Sequence, residues 1–418
     1  MSQSDAIVEK VTSFYLTSKD FNGMPASHLA SRTAGDGWKD FVRPLVRASR
    51  IEVVTTDIEV NPSIKRLPVP SVEVQLRALD EATEPGWVCL YPHPSELASR
   101  VDRSKYEGKP YALALALGEP QLGHRGFDLR VLETYRSDPR YVYECDDLHG
   151  WISVSDEHYE SDRMAERDKV LLQSFGFGFD EAFGRSVVAF SGDLADLTPE
   201  HQRIWQAYEL TVPVRMHEDF FRSQVMGEFP KNLSLCQAFF MELETINAMA
   251  AAMRRPALFR NVERPKRFAL LLRPTLHEFE QFVHLLDKTL SDNLDRKFFL
   301  DDVSFEREIP RKDGKIRVEQ KGTLQLLQEW LELKVKAPDR QPLDEMMGTF
   351  REVRKLRQAP AHALNDDAFD AEIFRRQRKL LLAAYQAVRM LRLILTNHPA
   401  ARIVEVDPFL YEGKILSY

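Results

Sequence analysis

The spacing of apolar residues changes character near Glu218, and that change limits what each half of the chain can become. Before it, apolar and β-branched runs are short and broken by Pro and Gly, at residues 51–60, 72–78, 87–91, 111–117, 127–132, 141–144, 151–154 and 187–190. Runs of that length, rich in Val, Ile, Tyr and Phe, predict strands. Three helices are predicted among them, near 5–17, 95–101 and 199–210. The last is announced by Thr198 as cap, Pro199 in the first turn and Glu200 as an early acid. After Glu218 the apolar period becomes helical. Residues 233–253 run without Gly or Pro, and 275–293 open with Thr275 and Glu278 in capping-box spacing. Phe279, Phe282, Val283, Leu285, Leu286 and Leu290 supply the apolar face of that second helix. Further helices are predicted at 323–335, 343–357 and 366–396, the last capped by Asn365 or Asp366 and stopped by Asn397-His398-Pro399. Between the helices, the Asp313-Gly314 pair inside the basic segment 307–321 predicts a β-hairpin.

The expected fold class is therefore α+β overall. A mixed α/β domain over 1–215 precedes an all-helical domain over 216–418, whose bundle core spans about 275–399. A length of 418 residues agrees with more than one core. Charge is divided the same way. Residues 254–418 hold 31 Lys and Arg against 25 Asp and Glu, a balance of +6, whereas 1–253 hold 26 against 39, a balance of −13. A mildly basic helical half permits contact with nucleic acid without demanding it. Cys89, Cys145 and Cys236 are too scattered for a disulfide framework, which suggests a reducing compartment. The polar start MSQSDAIVEK lacks a signal-peptide core, and apolar runs such as 112–117 are too short to span a bilayer. A cytoplasmic location with no membrane partner is the expectation.

The segment from Phe350 to His362, FREVRKLRQAPAH, carries the most chemistry. It contains Arg357 and His362 in Arg-x4-His spacing, and Arg392 with His398 forms a second Arg–His pair further on. Context separates the two. Arg392 and His398 run off the end of a long amphipathic helix, where basic groups suit the negative end of the helix dipole, a structural role. Between Arg357 and His362 stands Pro360, which disfavours helical geometry at Ala359. In an unbroken helix the two side chains would diverge by about 140°, and a break lets both turn to one pocket.

Arg357-x4-His362, with the polar Gln358 directly after the Arg and a long helix carrying Arg375, Arg376, Arg378 and Lys379 to follow, resembles the signature of the HEPN superfamily. These are small helical bundles, many of them metal-independent ribonucleases. The resemblance covers under a third of the chain. The family more often has Asn, Asp or His where this chain has Gln358. The resemblance implies a catalytic pair of Arg357 and His362, RNA-binding by Arg354, Lys355 and Gln358, and neither metal nor cofactor. It also implies a homodimer through the C-terminal bundle, because two protomers bring their motifs to one cleft, and a toxin or phage-defence setting with an antitoxin or regulatory partner. The residue types suit the chemistry. A histidine titrates near neutrality and can take the 2′-hydroxyl proton, while a planar guanidinium offsets charge on the phosphorane-like transition state.

Other clusters read more blandly. His277, Glu280 and His284 share one helix face and could hold a metal, although a solvated or interfacial face is the commoner reason for such spacing. Asp146, Asp147, His149, Asp156, Glu157 and His158 make an acidic, His-containing loop that could hold a divalent cation, although dense Asp in a turn is more often just a turn. Gly176-Phe177-Gly178 with Gly184 is not a dinucleotide fingerprint. The basic hairpin around Arg311–Arg317 could follow a phosphate backbone, or simply be a charged surface hairpin. Two functions remain in view: a metal-independent endoribonuclease regulated by its N-terminal half, or a non-catalytic protein whose bundle serves dimerisation or RNA docking.

Overall fold

A computed structural model describes residues 2–30, 37–146, 148–160, 164–181, 184–229, 231–310, 316–336, 338–358 and 367–416. The chain forms two compact units, one of Met1–Glu144 with His149–Gly227, the other of Cys145–Leu148 with Glu228–Tyr418. Strands concentrate in the first and helices in the second, so the fold is α+β.

The first unit opens with helix α1 (Gln3–Thr17), whose Ser2 and Asp5 form a reciprocal capping box. A three-stranded antiparallel sheet follows in the order β1 (Met24–Pro25), β3 (Val88–Pro92), β2 (Ile51–Thr55). Helix α2 (Trp38–Arg47) and helix α3 (Val72–Glu81) pack on it, burying Trp38, Val42, Leu45 and Leu79 against Val53 and Leu90. Helices α4 (Pro94–Arg100) and α5 (Pro110–Ala116) lead into the larger sheet. Its order is β4 (His124–Phe127), β8 (Arg185–Phe190), β7 (Leu171–Phe179), β6 (His149–Val154), β5 (Tyr141–Cys145), with β9 (Arg215–Met216) also pairing to β7. Helices α6 (Ser191–Ala195), α7 (Pro199–Ala207) and α8 (Glu218–Met226) complete the unit.

Several predicted strands are not strands, for identifiable reasons. Residues 72–78 alternate like a strand yet fold as α3, because the buried face is Gln75, Ala78 and Leu79 at helical spacing, and Val74 is left exposed. The run 111–117 is helix α5, where Pro110 starts the helix and Ala and Leu are its best formers. The 127–132 run breaks at Asp128, whose carboxylate caps a single 3₁₀ turn over Leu129–Leu132. Helix α2 and strand β7 have no counterpart among the expected elements. The Gly176/Gly178 pair lies on β7, where a Cβ on Gly176 would sit 2.3 Å from the Phe220 ring and one on Gly178 would sit 2.5 Å from the Arg215 carbonyl oxygen. These glycines serve close packing. The same contact keeps α8 in the first unit, past the expected boundary at 215, with Phe220 stacked on Phe190 at 5.7 Å.

In the second unit the expected helices are present as α9 (Leu235–Ala252), α10 (Leu276–Leu290), α11 (Thr323–Lys334), α12 (Gln341–Gln358) and α13 (Glu372–Thr396). Thr275 caps α10 by accepting from the Glu278 amide at 3.3 Å. Asn365 and Asp366, expected to cap the last helix, lie outside the described residues. The hairpin pairs β10 (Glu306–Pro310) with β11 (Ile316–Gln320) in antiparallel register, and its Asp313-Gly314 turn likewise lies outside the described residues. One continuous core joins the helices. α13 packs on α9 and α12, and α12 packs on α10. Among the described residues, no helix is long and apolar enough to cross a membrane.

Asp193, on α6 of the first unit, titrates abnormally. Burial raises its carboxyl to about 6, assisted by the neighbouring charge of Asp196. A raised folded-state pKa means the folded protein holds this proton more tightly than the unfolded chain does. The contribution is complete below about pH 4, near the ordinary carboxyl value, and is lost as pH rises through about 6. Asp193→Asn should therefore match the wild type in thermal melting below pH 4 and melt higher than it above pH 6. Equal melting temperatures at pH 7.5 would refute this.

Candidate functional site

Helix α12 buries Met346, Met347, Phe350 and Val353, a stripe at helical spacing, which leaves Arg354 and Arg357 together on its flank. Facing them is the C-terminal end of α10. That helix buries Phe279, Phe282, Val283, Leu286 and Leu290, and among them one acid, Asp287. Its side chain has no solvent exposure at all. A carboxylate so placed loses its hydration, an effective cost of several kcal/mol unless cations and donors replace it. Arg357 Nη1 donates to Asp287 Oδ2 at 2.6 Å and to Asp292 Oδ2 at 2.5 Å. Arg354 Nη2 donates to Asp292 Oδ1 at 2.5 Å, and its Nε lies 3.8 Å from Asp287 Oδ2. Among the described residues, the second oxygen of Asp287, Oδ1, is buried without a hydrogen-bond partner.

The two acids hold the Arg357 guanidinium firmly protonated, its pKa raised by the hydrogen bonds from Asp287 and Asp292. One turn before Asp287 on α10 stands His284, half-buried. Burial depresses its pKa, the Lys288 and Arg357 cations depress it further, and Asp287 and Asp292 oppose them, so the ring favours its neutral form. An open hollow of about 390 Å³ at the end of α12 is lined by Asp292, Arg354, Arg357 and Gln358. The structure thus brings Arg354, Arg357 and Gln358 together. Lys355 is exposed and does not line the hollow. His362 and Pro360 lie outside the described residues.

Asp287 and Asp292 are the partners that sequence reasoning missed, and His284, singled out there only with His277 and Glu280, stands on the same helix as Asp287. A signal existed: Asp287 falls between Leu286 and Leu290 on the apolar stripe of α10, and an acid in such a place requires a cation from another element.

The second pair occupies a different environment from the helix-end setting expected of it. Arg392 is buried, donating through Nε and Nη2 to Glu242 of α9, whose side chain is fully enclosed. The Nε–Oε2 distance is 2.5 Å. Burial raises the Glu242 pKa while Arg392 pulls it back down. His398 is exposed beyond the helix, its Nδ1 accepting from the Ala400 amide. Arg392 is structural through a buried ion pair rather than through the helix dipole.

Among the described residues, no three His, Cys, Asp or Glu side chains are grouped to hold a metal ion. His277 is exposed with its amide bonded to Asp367, and Asp146 accepts from the Leu148 amide as a turn residue. In the hairpin, Arg307 and Arg317 both pair with Glu319. Comparison with protein-family models, curated proteins and solved structures yields no match to this chain.

Removing Arg392 strands a buried carboxylate. Arg392→Ala should lower unfolding free energy by about 3–5 kcal/mol in urea titration, and Glu242→Leu with Arg392→Met should recover most of it. A loss below about 1 kcal/mol, the usual worth of an exposed pair, would show that the pair is not sealed from water.

Proposed function

We propose that the protein is a metal-independent endoribonuclease of HEPN type, with the helical unit as its catalytic part and the N-terminal unit as sensor or regulator. The observation that carries the reading is the half-used guanidinium of Arg357. Its two carboxylate partners both engage Nη1, and among the described residues Nε and Nη2 have no partner beside an open hollow. An arginine oriented by carboxylates on one side presents planar donors on the other, the arrangement that suits two oxygens of a phosphate. The chain continues from Gln358 directly into the segment that carries His362. In this mechanism His362 takes the 2′-hydroxyl proton, the 2′-oxygen attacks the adjacent phosphorus, Arg357 offsets charge on the phosphorane, and the P–O5′ bond breaks as the 5′-oxygen departs and takes a proton from solvent. Arg354, Gln358 and Lys355 bind the RNA backbone. The active form is a homodimer through the bundle, and a toxin or phage-defence role would be released by a regulatory partner.

A second reading has its own support. Asp287 and Asp292 neutralise Arg354 and Arg357 one for one, as a purely architectural ion cluster would. The helical unit would then serve docking or dimerisation without cleaving.

Incubation of the purified protein with total RNA in EDTA separates them. Cleavage leaving 2′,3′-cyclic phosphate ends is expected, with His362→Ala slower by roughly 10²–10⁴-fold, the usual worth of a positioned acid or base. Arg357→Lys should also be poorly active, since a point charge cannot replace a planar fork. Loss of activity in His284→Ala but not in His362→Ala would transfer the base to His284. No cleavage by the wild type would favour the docking reading. By light scattering at micromolar concentration the protein should run as a dimer, and a strict monomer would remove the composite cleft.

A further inference from the structure

Arginines of the N-terminal unit mostly carry their own acids: Arg43, Arg50, Arg66, Arg100, Arg125 and Arg140 are all ion-paired. Three cations around one hollow depart from this habit. Among the described residues, the charged groups of Arg103, Lys109 and Arg203 have neither a hydrogen-bond nor an ion-pair partner. They border an open hollow of about 530 Å³ together with Tyr106, Glu107 and Gln206. With Glu107 as its only acid, the lining carries a charge of +2, in a stretch of chain (1–253) whose balance is −13.

The backbone positions that carry these cations are well defined. Arg103 begins a single 3₁₀ turn, Arg103–Tyr106, capped by Asp102, which accepts from the Ser104 amide at 3.1 Å. Gly108 then takes a positive φ of 71°, a conformation glycine adopts without strain, and delivers Lys109 to the start of α5. Arg203 approaches from α7. A Cβ on Gly108 would lie 2.5 Å from Arg203 Nη2, which places the Arg203 guanidinium against this turn. Next to Arg203, the fully buried Gln202 ties α7 to α5. Its Oε1 accepts from the Tyr111 amide at 3.2 Å, and its Nε2 donates to the Ala195 and Leu197 carbonyls, both at 2.9 Å. Gln202 thereby occupies the leading amide of α5, so the hollow owes its character to side-chain cations rather than to a helix end.

We propose that this hollow binds a phosphomonoester, the terminal phosphate of a free nucleotide or of an RNA 5′ end. Three cations line this one hollow without a hydrogen-bond or ion-pair partner among the described residues, so their mutual repulsion is not offset within the unit. A bound anion relieves that repulsion. A phosphomonoester carries about −1.5 to −2 at neutral pH, which matches the +2 lining where a single carboxylate would compensate only half of it. Two guanidinium forks and an ammonium also match three terminal phosphate oxygens in number, and guanidinium forks are suited to phosphate. The proposal is independent of the ribonuclease reading, since it uses neither its residues nor its unit.

Calorimetric titration of the full chain at low salt tests it. The probes are AMP, adenosine, and a 2′-O-methyl RNA hexamer with and without a 5′-phosphate. Phosphorylated probes should bind at least about tenfold more tightly than their unphosphorylated partners, and Arg203→Gln and Lys109→Gln should each remove about tenfold of that preference. Arg77→Gln, an exposed cation that does not line the hollow, should bind as the wild type does. A preference seen with AMP identifies a free nucleotide as sufficient, whereas one seen only with the hexamer identifies an RNA end. Equal binding of both members in both probe pairs overturns the site, and so does an equal loss in Arg77→Gln, which would reduce the effect to general charge.

Discussion

Asp287 has no accessible surface, and an ionised carboxylate without water must find its compensation inside the protein. The compensation comes from α12, through Arg357 and, at longer range, Arg354. Much of the helical unit follows from this requirement. The register between α10 and α12 is fixed, because sliding α12 by one turn would strand the charge. Asp292, just past the end of α10, completes a two-by-two cluster and leaves the outer edge of Arg357 beside a hollow. Since α13 packs on α12 and α9 packs on α13, the geometry passes through the whole bundle.

The bundle contains a second buried carboxylate, and the contrast is instructive. Glu242 receives two bonds from Arg392, through Nε and Nη2, and both partners are sealed in the core. Arg357 commits only Nη1 and keeps about a third of its side chain exposed. Burial decides which arginine spends its donors on an internal acid and which, among the described residues, keeps some of them unspent. The same rule distinguishes cations in the first unit. Arg125 is consumed by Glu119 and Glu209, each at 2.6 Å, while Arg103, Lys109 and Arg203 line an open hollow.

The long helices were legible because their apolar residues recur at helical spacing over many turns. α10 and α11 can be read from Phe279, Phe282, Val283, Leu286 and from Leu324, Leu327, Leu331. Short runs were not. Residues 72–78 and 111–117 satisfy a strand pattern and a helix pattern at once, and what chose between them was the surface each met. Leu79 and Gln75 turn inward because β2 is there to receive them; Gln75 Oε1 accepts from the Val53 amide at 3.0 Å. Strand β7 escaped because Gly176 and Gly178 carry no strand signal, and they are required by Phe220 and Val214, which arrive from about 40 residues downstream.

The sequence by itself determined the α+β division, the positions of the long helices and the local grouping of Arg354, Arg357 and Gln358, since these depend on periodicity and on neighbours within a turn. Tertiary structure alone decided their partners. Asp287 and Asp292 lie 70 and 65 residues from Arg357, and Glu242 lies 150 from Arg392. Arg203 likewise reaches the Arg103 and Lys109 turn only through the packing of α7 on α5. A charge selects its partner by distance in space, and separation along the chain carries no record of that distance until the core has folded.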